Sequence, residues 1–158
     1  MKAKIFLVLT VLTLAGLVSC NSNINPDIQE DTSLVFIYKE SGGWTGLNEE
    51  LKIAKDNMHY SISYRDLQTQ QLVLYSGTVE TSAEVWQKLL QTFDFDSFRK
   101  IKDGSCQSCV DGTDKRFIVQ IDGQEYAIYN GYEDENYKKM QAFFDLMLEQ
   151  AEKFSDNY

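Results

Sequence analysis

In Met58-His59-Tyr60-Ser61-Ile62-Ser63-Tyr64-Arg65, large apolar or aromatic side chains alternate with small or polar ones. Successive side chains of a strand point to opposite faces, so this period of two describes a strand with one covered and one wet face. Such a strand needs an apolar surface laid against it, and the far end of the chain supplies one. Within Asn136 to Phe154, the residues Met140, Phe143, Phe144, Met147, Leu148, Ala151 and Phe154 recur every three or four positions. That spacing predicts a helix with one wide apolar stripe.

The neighbouring segments extend the pattern. Leu34-Val35-Phe36-Ile37-Tyr38 is a short run of β-formers, read as a strand buried on both faces. Leu47 to Ala54 is a weaker strand, and Lys55-Asp56-Asn57 is turn chemistry leading into Met58. After polar residues Asp66 to Gln70, the segment Gln71 to Val79 forms a fourth strand, with Leu72, Leu74 and Ser76 sharing one side. The period then changes. Thr81 and Glu84 have capping-box spacing, and Val85, Trp86, Leu89, Leu90 and Phe93 follow at helical intervals, the helix ending near Thr92. Phe95 and Phe98 suit a short turn plugging the core. Beyond a loop from Lys102 to Asp114, Phe117, Val119 and Ile121 alternate, Asp122-Gly123 signals a tight hairpin, and Tyr126 and Ile128 return. Gly131 to Glu135 is a loop. The expected fold is α+β and two-layered, an antiparallel β-sheet with two helices on one face in the order ββββ-α-ββ-α.

The 158 residues suffice for one domain, and 43% hydrophobic content excludes wholesale disorder. A single His excludes a two-His zinc motif. Fifteen basic against 24 acidic side chains, a net charge of −9, argue against nucleic acid as a partner.

The N-terminus has its own logic. Lys2 and Lys4 precede the uncharged, mostly apolar stretch Ile5 to Val18. Fourteen helical residues span about 21 Å, short of the roughly 30 Å hydrocarbon core, so the stretch reads as a secretory signal peptide. It ends in Leu17-Val18-Ser19-Cys20, which resembles the bacterial lipobox. The resemblance implies cleavage after residue 19 and a diacylglycerol on Cys20, attaching the protein to the membrane through lipid. Asn21 in the next position fits export to the outer membrane, so the expected location is the cell envelope. Loss of Lys2 and Lys4 leaves 13 basic and 24 acidic side chains, a net charge of −11 that anionic headgroups repel. Asn21 to Ser33 is polar, holds the single Pro26 and lacks periodicity, as a tether would. The expected organisation is a signal peptide over 1–19, a lipidated N-terminus and tether over 20–33, and one globular domain over 34–158.

Chemistry is sparse. Cys106 and Cys109 form a C-x-x-C between Asp103-Gly104 and Asp111-Gly112. An exported domain meets an oxidising compartment, which favours a structural disulfide. Free thiols, or redox or metal work, are the alternatives, disfavoured by nearby acids and by the lack of further zinc ligands. Asp103, Asp111 and Asp114 lack the spacing of a calcium loop and read as solvated turn acids. Asp94 with Asp96, or Glu49 with Glu50, are carboxylate pairs of the sort 24 acids produce by chance. His59 falls on the polar side of its strand. No nucleophile elbow, zinc-peptidase helix or phosphate-cradling glycine loop is present, so neither catalysis nor a cofactor is expected.

Ser41-Gly42-Gly43-Trp44-Thr45-Gly46 is the remaining candidate. The glycines permit close backbone approach, and Trp44 either anchors a partner or folds inward over the sheet end. With this turn, the Asp94-Phe95 pair closing a helix, the hairpin of Phe117 to Ile128 and the terminal amphipathic helix, the segment Tyr38 to Leu148 resembles the emfourin family, small bacterial inhibitors of thermolysin-like metallopeptidases. The chain departs from it in the lipid anchor, in extra length around Asp66 to Gln70, and in Cys106 and Cys109. The resemblance implies an inhibitory contact through the loop.

The expectation is therefore a lipoprotein whose non-catalytic domain binds an envelope protein or a peptidase through Ser41, Gly42, Gly43, Trp44 and Gly46 and the loop Lys102 to Asp114. A thiol–disulfide redox accessory using Cys106 and Cys109, and a structural subunit of an envelope assembly, are the alternatives.

Overall fold

The computed structural model describes residues 33–155, so Cys20 and most of the tether lie outside the described residues. Strands β1 (Leu34–Gly42), β2 (Leu47–Ile53), β3 (Asn57–Arg65) and β4 (Leu72–Glu80) are followed by helices α1 (Ala83–Thr92) and α2 (Phe95–Phe98). Strands β5 (Thr113–Ile121) and β6 (Gln124–Tyr129) then lead to helices α3 (Glu135–Lys139) and α4 (Gln141–Ser155). The strands form one sheet in the order β4-β3-β2-β1-β5-β6, every neighbouring pair antiparallel. The first four make a meander. β5 then returns to the free side of β1, so that Phe36 stands opposite Ile53 on one flank and Val119 on the other.

The α+β class with an antiparallel sheet agrees with the sequence pattern, but there are four helices, not two. The Phe95–Phe98 turn is a helix in its own right, because the Asp94 carboxylate accepts the Asp96 and Ser97 N–H groups and caps it. The single helix expected over Asn136 to Phe154 is broken at Met140 (φ −99°, ψ 15°). In a straight helix, residues seven apart are separated by about 10.5 Å of rise. The break lets Tyr137 fold back and stack on Phe144, ring centres 3.9 Å apart and 7° from parallel. The cap of α1 also differs. Ser82 accepts the Val85 N–H at 3.2 Å, whereas Thr81 is buried and donates to the Ala54 carbonyl at 2.8 Å. The Asp122-Gly123 hairpin has positive φ at both residues (49° and 81°), as a primed two-residue turn requires.

The register assigns every strand residue to a face. Phe36, Tyr38, Leu51, Ile53, Met58, Tyr60, Phe117, Val119 and Ile128 share one face and one core with Trp86 and Leu89 of α1 and with Phe143, Phe144, Met147, Ala151 and Phe154 of α4. Rings interlock there: Phe36 lies 5.1 Å from both Phe93 and Phe143, and Tyr60 stacks on Phe154 at 5.2 Å. The opposite face bears His59, Ser61, Ser63, Leu72, Leu74 and Ser76. Leu72 and Leu74 share a side as expected, but it is the exposed one. No helix among the described residues is long and apolar enough to cross a membrane.

Met147 is 1% exposed at the centre of the α4 stripe. Met147→Asp removes its packing, which alone costs about 2–5 kcal/mol, and buries a carboxylate with no partner. Against a total stability of about 5–15 kcal/mol, cooperative unfolding should be lost or shifted far down in a thermal melt.

Candidate functional site

Antiparallel pairing gathers several chain reversals at one end of the sheet. The β1–β2 turn, the β3–β4 turn, the segment entering β5 and the exit of β6 all lie there. Two candidates nominated separately by the sequence, the Ser41–Gly46 turn and the loop of Cys106 and Cys109, therefore become neighbours. The Gly43 N–H donates to the Gly112 carbonyl at 3.0 Å. Gly42 has φ +114°, and a Cβ on it would stand 2.9 Å from the Gly112 carbonyl oxygen and 3.0 Å from Ser108 Cβ. Only glycine gives both that backbone angle and that closeness. On the other flank, the Arg65 N–H donates to the Thr45 carbonyl at 2.8 Å, which ties the β3–β4 reversal to the same turn.

Trp44 does not fold inward. It is 80% exposed, and Val110 in the adjacent loop is 74% exposed. Leu67, Leu72, Leu74 and Tyr132 add exposed apolar surface at or next to this end. Among the described residues, Val79 is the one large exposed hydrophobic at the other end of its strand. Single exposed apolar side chains are ordinary, and it is contiguous apolar patches that mark contact sites in general.

A carboxylate holds the tip together. Asp114, 3% exposed, accepts the N–H groups of Gln107 (2.7 Å) and Ser108 (3.3 Å) and Nδ2 of Asn130 (2.7 Å) at one oxygen. At the other it accepts the hydroxyls of Ser108 and Tyr129. Asn130 also donates to the Ser105 carbonyl and accepts the Lys115 N–H. Hydrogen bonds from Ser108 and Tyr129, against the opposing effect of desolvation and with help from Asn130 and Gln107, hold the Asp114 carboxyl well below the usual carboxylate range. The Cys106 and Cys109 sulfurs stand at bonding distance, 2.07 Å, and close the same loop. Only a three-residue 3-10 turn, Ser108–Val110, surrounds Cys109, not the helix that opens at a thioredoxin-type motif.

The other nominated residues are dispersed. Asp103 accepts the Tyr129 N–H, Asp111 is a left-handed residue closing the 3-10 turn, and no group of three or more metal-ligating side chains converges among the described residues. Asp94 caps α2, and Asp96 pairs with Arg99 at 3.1 Å. Glu49 and Glu50 are adjacent on β2 and face opposite ways. Glu50 holds Lys39 (2.6 Å) and Lys52 (2.9 Å) on the open face. Glu49 lies on the covered side, cross-strand from Glu40. His59 Nδ1 pairs with Thr78 Oγ1 at 2.9 Å. Sequence reading missed Asn130 and the central role of Asp114. The φ of 48° at Asn130 fits an Asn that ends a strand, which is the one local signal available.

Asp114→Asn turns two acceptor oxygens into one and sets an amide donor against donors. A lower melting temperature at neutral pH and faster amide exchange at Gln107 and Ser108 are expected. Because the folded-state pKa is depressed, the wild-type contribution is present above the unfolded carboxylate pKa and fades as pH falls through the folded one, so the two proteins should converge in acid. Glu49 behaves oppositely. Burial first, and Glu40 across from it, raise its pKa despite a lowering contribution from Tyr60. Ionisation of Glu49 therefore opposes folding, and stability tied to it is greatest in acid and lost as pH rises through the raised pKa. Glu49→Gln should melt above wild type at neutral pH, the difference shrinking on acidification.

A scan against protein-family models and a search of curated proteins both returned no match for this chain.

Proposed function

We propose that this chain is a lipid-anchored protein of the bacterial cell envelope, at the outer membrane, whose folded domain binds another protein and catalyses nothing. The observation that supports this most is the bonded pair of loops at one sheet end, with Trp44 and Val110 projecting from them at 80% and 74% exposure. Aromatic side chains displayed on a pinned turn suit recognition, since little conformational freedom is left to lose on contact. In this reading the long helices α1 and α4 are the covering layer of a two-layer scaffold, and the short α2 and α3 trim its rim. Lipid on Cys20 supplies the attachment, and residues up to Ser33 supply the reach. The partner is an envelope protein, and the resemblance of Ser41 to Gly46 to emfourin makes a thermolysin-like peptidase the first one to test. The redox alternative gains nothing from the geometry. Asp114 sits 3.9 Å from the Cys106 sulfur, and a carboxylate there opposes thiolate formation.

The full-length protein in mild detergent, titrated against thermolysin-like peptidases, is expected to inhibit at micromolar concentration, and Trp44→Ala to lose the effect with stability changed by less than about 0.5 kcal/mol. Absence of inhibition rejects the peptidase as the partner. Retention of binding by Trp44→Ala rejects the tip as the contact.

A further inference from the structure

The sheet order leaves two margins, β6 and β4, and the chain treats them differently. At β6 the segment after α2 folds over the edge. The Tyr129 N–H donates to Asp103 at 2.8 Å, and the Tyr129 carbonyl accepts the Gly104 N–H at 2.7 Å. The approach is so close that a Cβ on Gly104 would stand 2.0 Å from the Asn130 carbonyl oxygen. Tyr126 of the same strand packs against Phe95 at 4.8 Å. The last rung of that margin is therefore taken.

Among the described residues, no segment folds over β4 in this way. Its only strand neighbour among the described residues is β3, with which it pairs without a bulge from Leu72 opposite Arg65 to Glu80 opposite Asn57. The nine residues LVLYSGTVE contain no proline and no basic residue, and no charge before Glu80. Leu72, Leu74 and Val79 are 62%, 70% and 46% exposed. Edge strands are normally blunted by lysine, proline, a bulge or a short length, because their unpaired N–H and C=O groups template another strand. β4 uses none of these devices.

We propose that β4 is the surface through which two copies of this chain pair, antiparallel, with Ser76 at the twofold axis. Charge selects the occupant. The chain is strongly acidic, yet this strand is neutral along eight of its nine positions, so two copies approach here with no like charges opposed. The charges at its ends are also self-complementary. Arg65 flanks Leu72 at one end, and Glu80 ends the strand at the other. Antiparallel pairing centred on Ser76, the midpoint of the strand, overlaps all nine residues. It sets the second copy's Glu80 opposite Leu72, one strand from Arg65, and symmetry repeats this at the far end. Leu72 and Leu74 then stand opposite Glu80 and Thr78 of the second copy, in one continuous open face. The contact uses neither Trp44 nor the loop of Cys106 and Cys109, which stay exposed at tips that point in opposite directions.

Sedimentation equilibrium of the full-length chain in mild detergent should show a reversible dimer at concentrations up to about 100 µM. Ser76 is exposed on the open face, so Ser76→Lys should leave the far-ultraviolet circular dichroism unchanged. By opposing two ammonium groups at the axis, it should weaken the dimer by roughly tenfold or more. Ser76→Cys should give an oxidised dimer beyond any wild-type background, and Ser61→Cys, one strand further in, should not. A monomer throughout this range overturns the proposal. So does a dimer that Ser76→Lys leaves intact and Ser76→Cys fails to link. Protection of the β4 amides from exchange only on addition of a different envelope protein assigns the edge to a foreign strand and overturns self-pairing.

Discussion

The face of the sheet that bears Phe36, Leu51 and Tyr60 is packed against α1 and α4, and the parity of each strand decides which side chains reach that core. Along β3, Met58 and Tyr60 enter the core while His59 and Ser61 remain on the open side. A shift of β3 by one residue would put Tyr60 in water and a serine against Phe154. The stacked and edge-on rings around Phe36, Phe93 and Phe143 make that error expensive, so the register is specified by packing and not only by turns.

The same parity organises the chemistry of the tip. Asp114 falls on the open side, cross-strand from Ser41, where its carboxylate reaches the incoming loop and the end of β6 together. Glu40 falls on the covered side. It accepts the Thr113 hydroxyl at 2.6 Å and the Tyr38 hydroxyl, so the turn beyond it is braced from beneath. The Ser41–Gly46 turn thus starts from a strand end fixed on both faces, and Trp44 is displayed from a rigid base.

Much of the scaffold was legible because its signals are local and periodic. Alternation in Met58 to Arg65, the stripe through Met147, and Asp122-Gly123 each depend on a few neighbouring residues. The misreadings came where a distant contact outweighed the local pattern. The break at Met140 serves a stack between Tyr137 and Phe144 that periodicity cannot anticipate. Thr81 has the spacing of a cap, but a carbonyl at Ala54 claims its hydroxyl. At the candidate site, SGGWTG and C-x-x-C stood out by composition. Their adjacency did not, because it depends on β5 returning to β1 across more than sixty intervening residues.

The capping of Tyr129 by Asp103 and Gly104 has a colloidal consequence. Fibrillar growth by strand addition needs two reactive margins per molecule, one to accept and one to offer. With Tyr129 already tied to Asp103 and Gly104, an incoming strand must displace two bonds before it can complete the last rung of β6. A glycine and an aspartate that belong to no strand thus work against stacking into cross-β material at that edge.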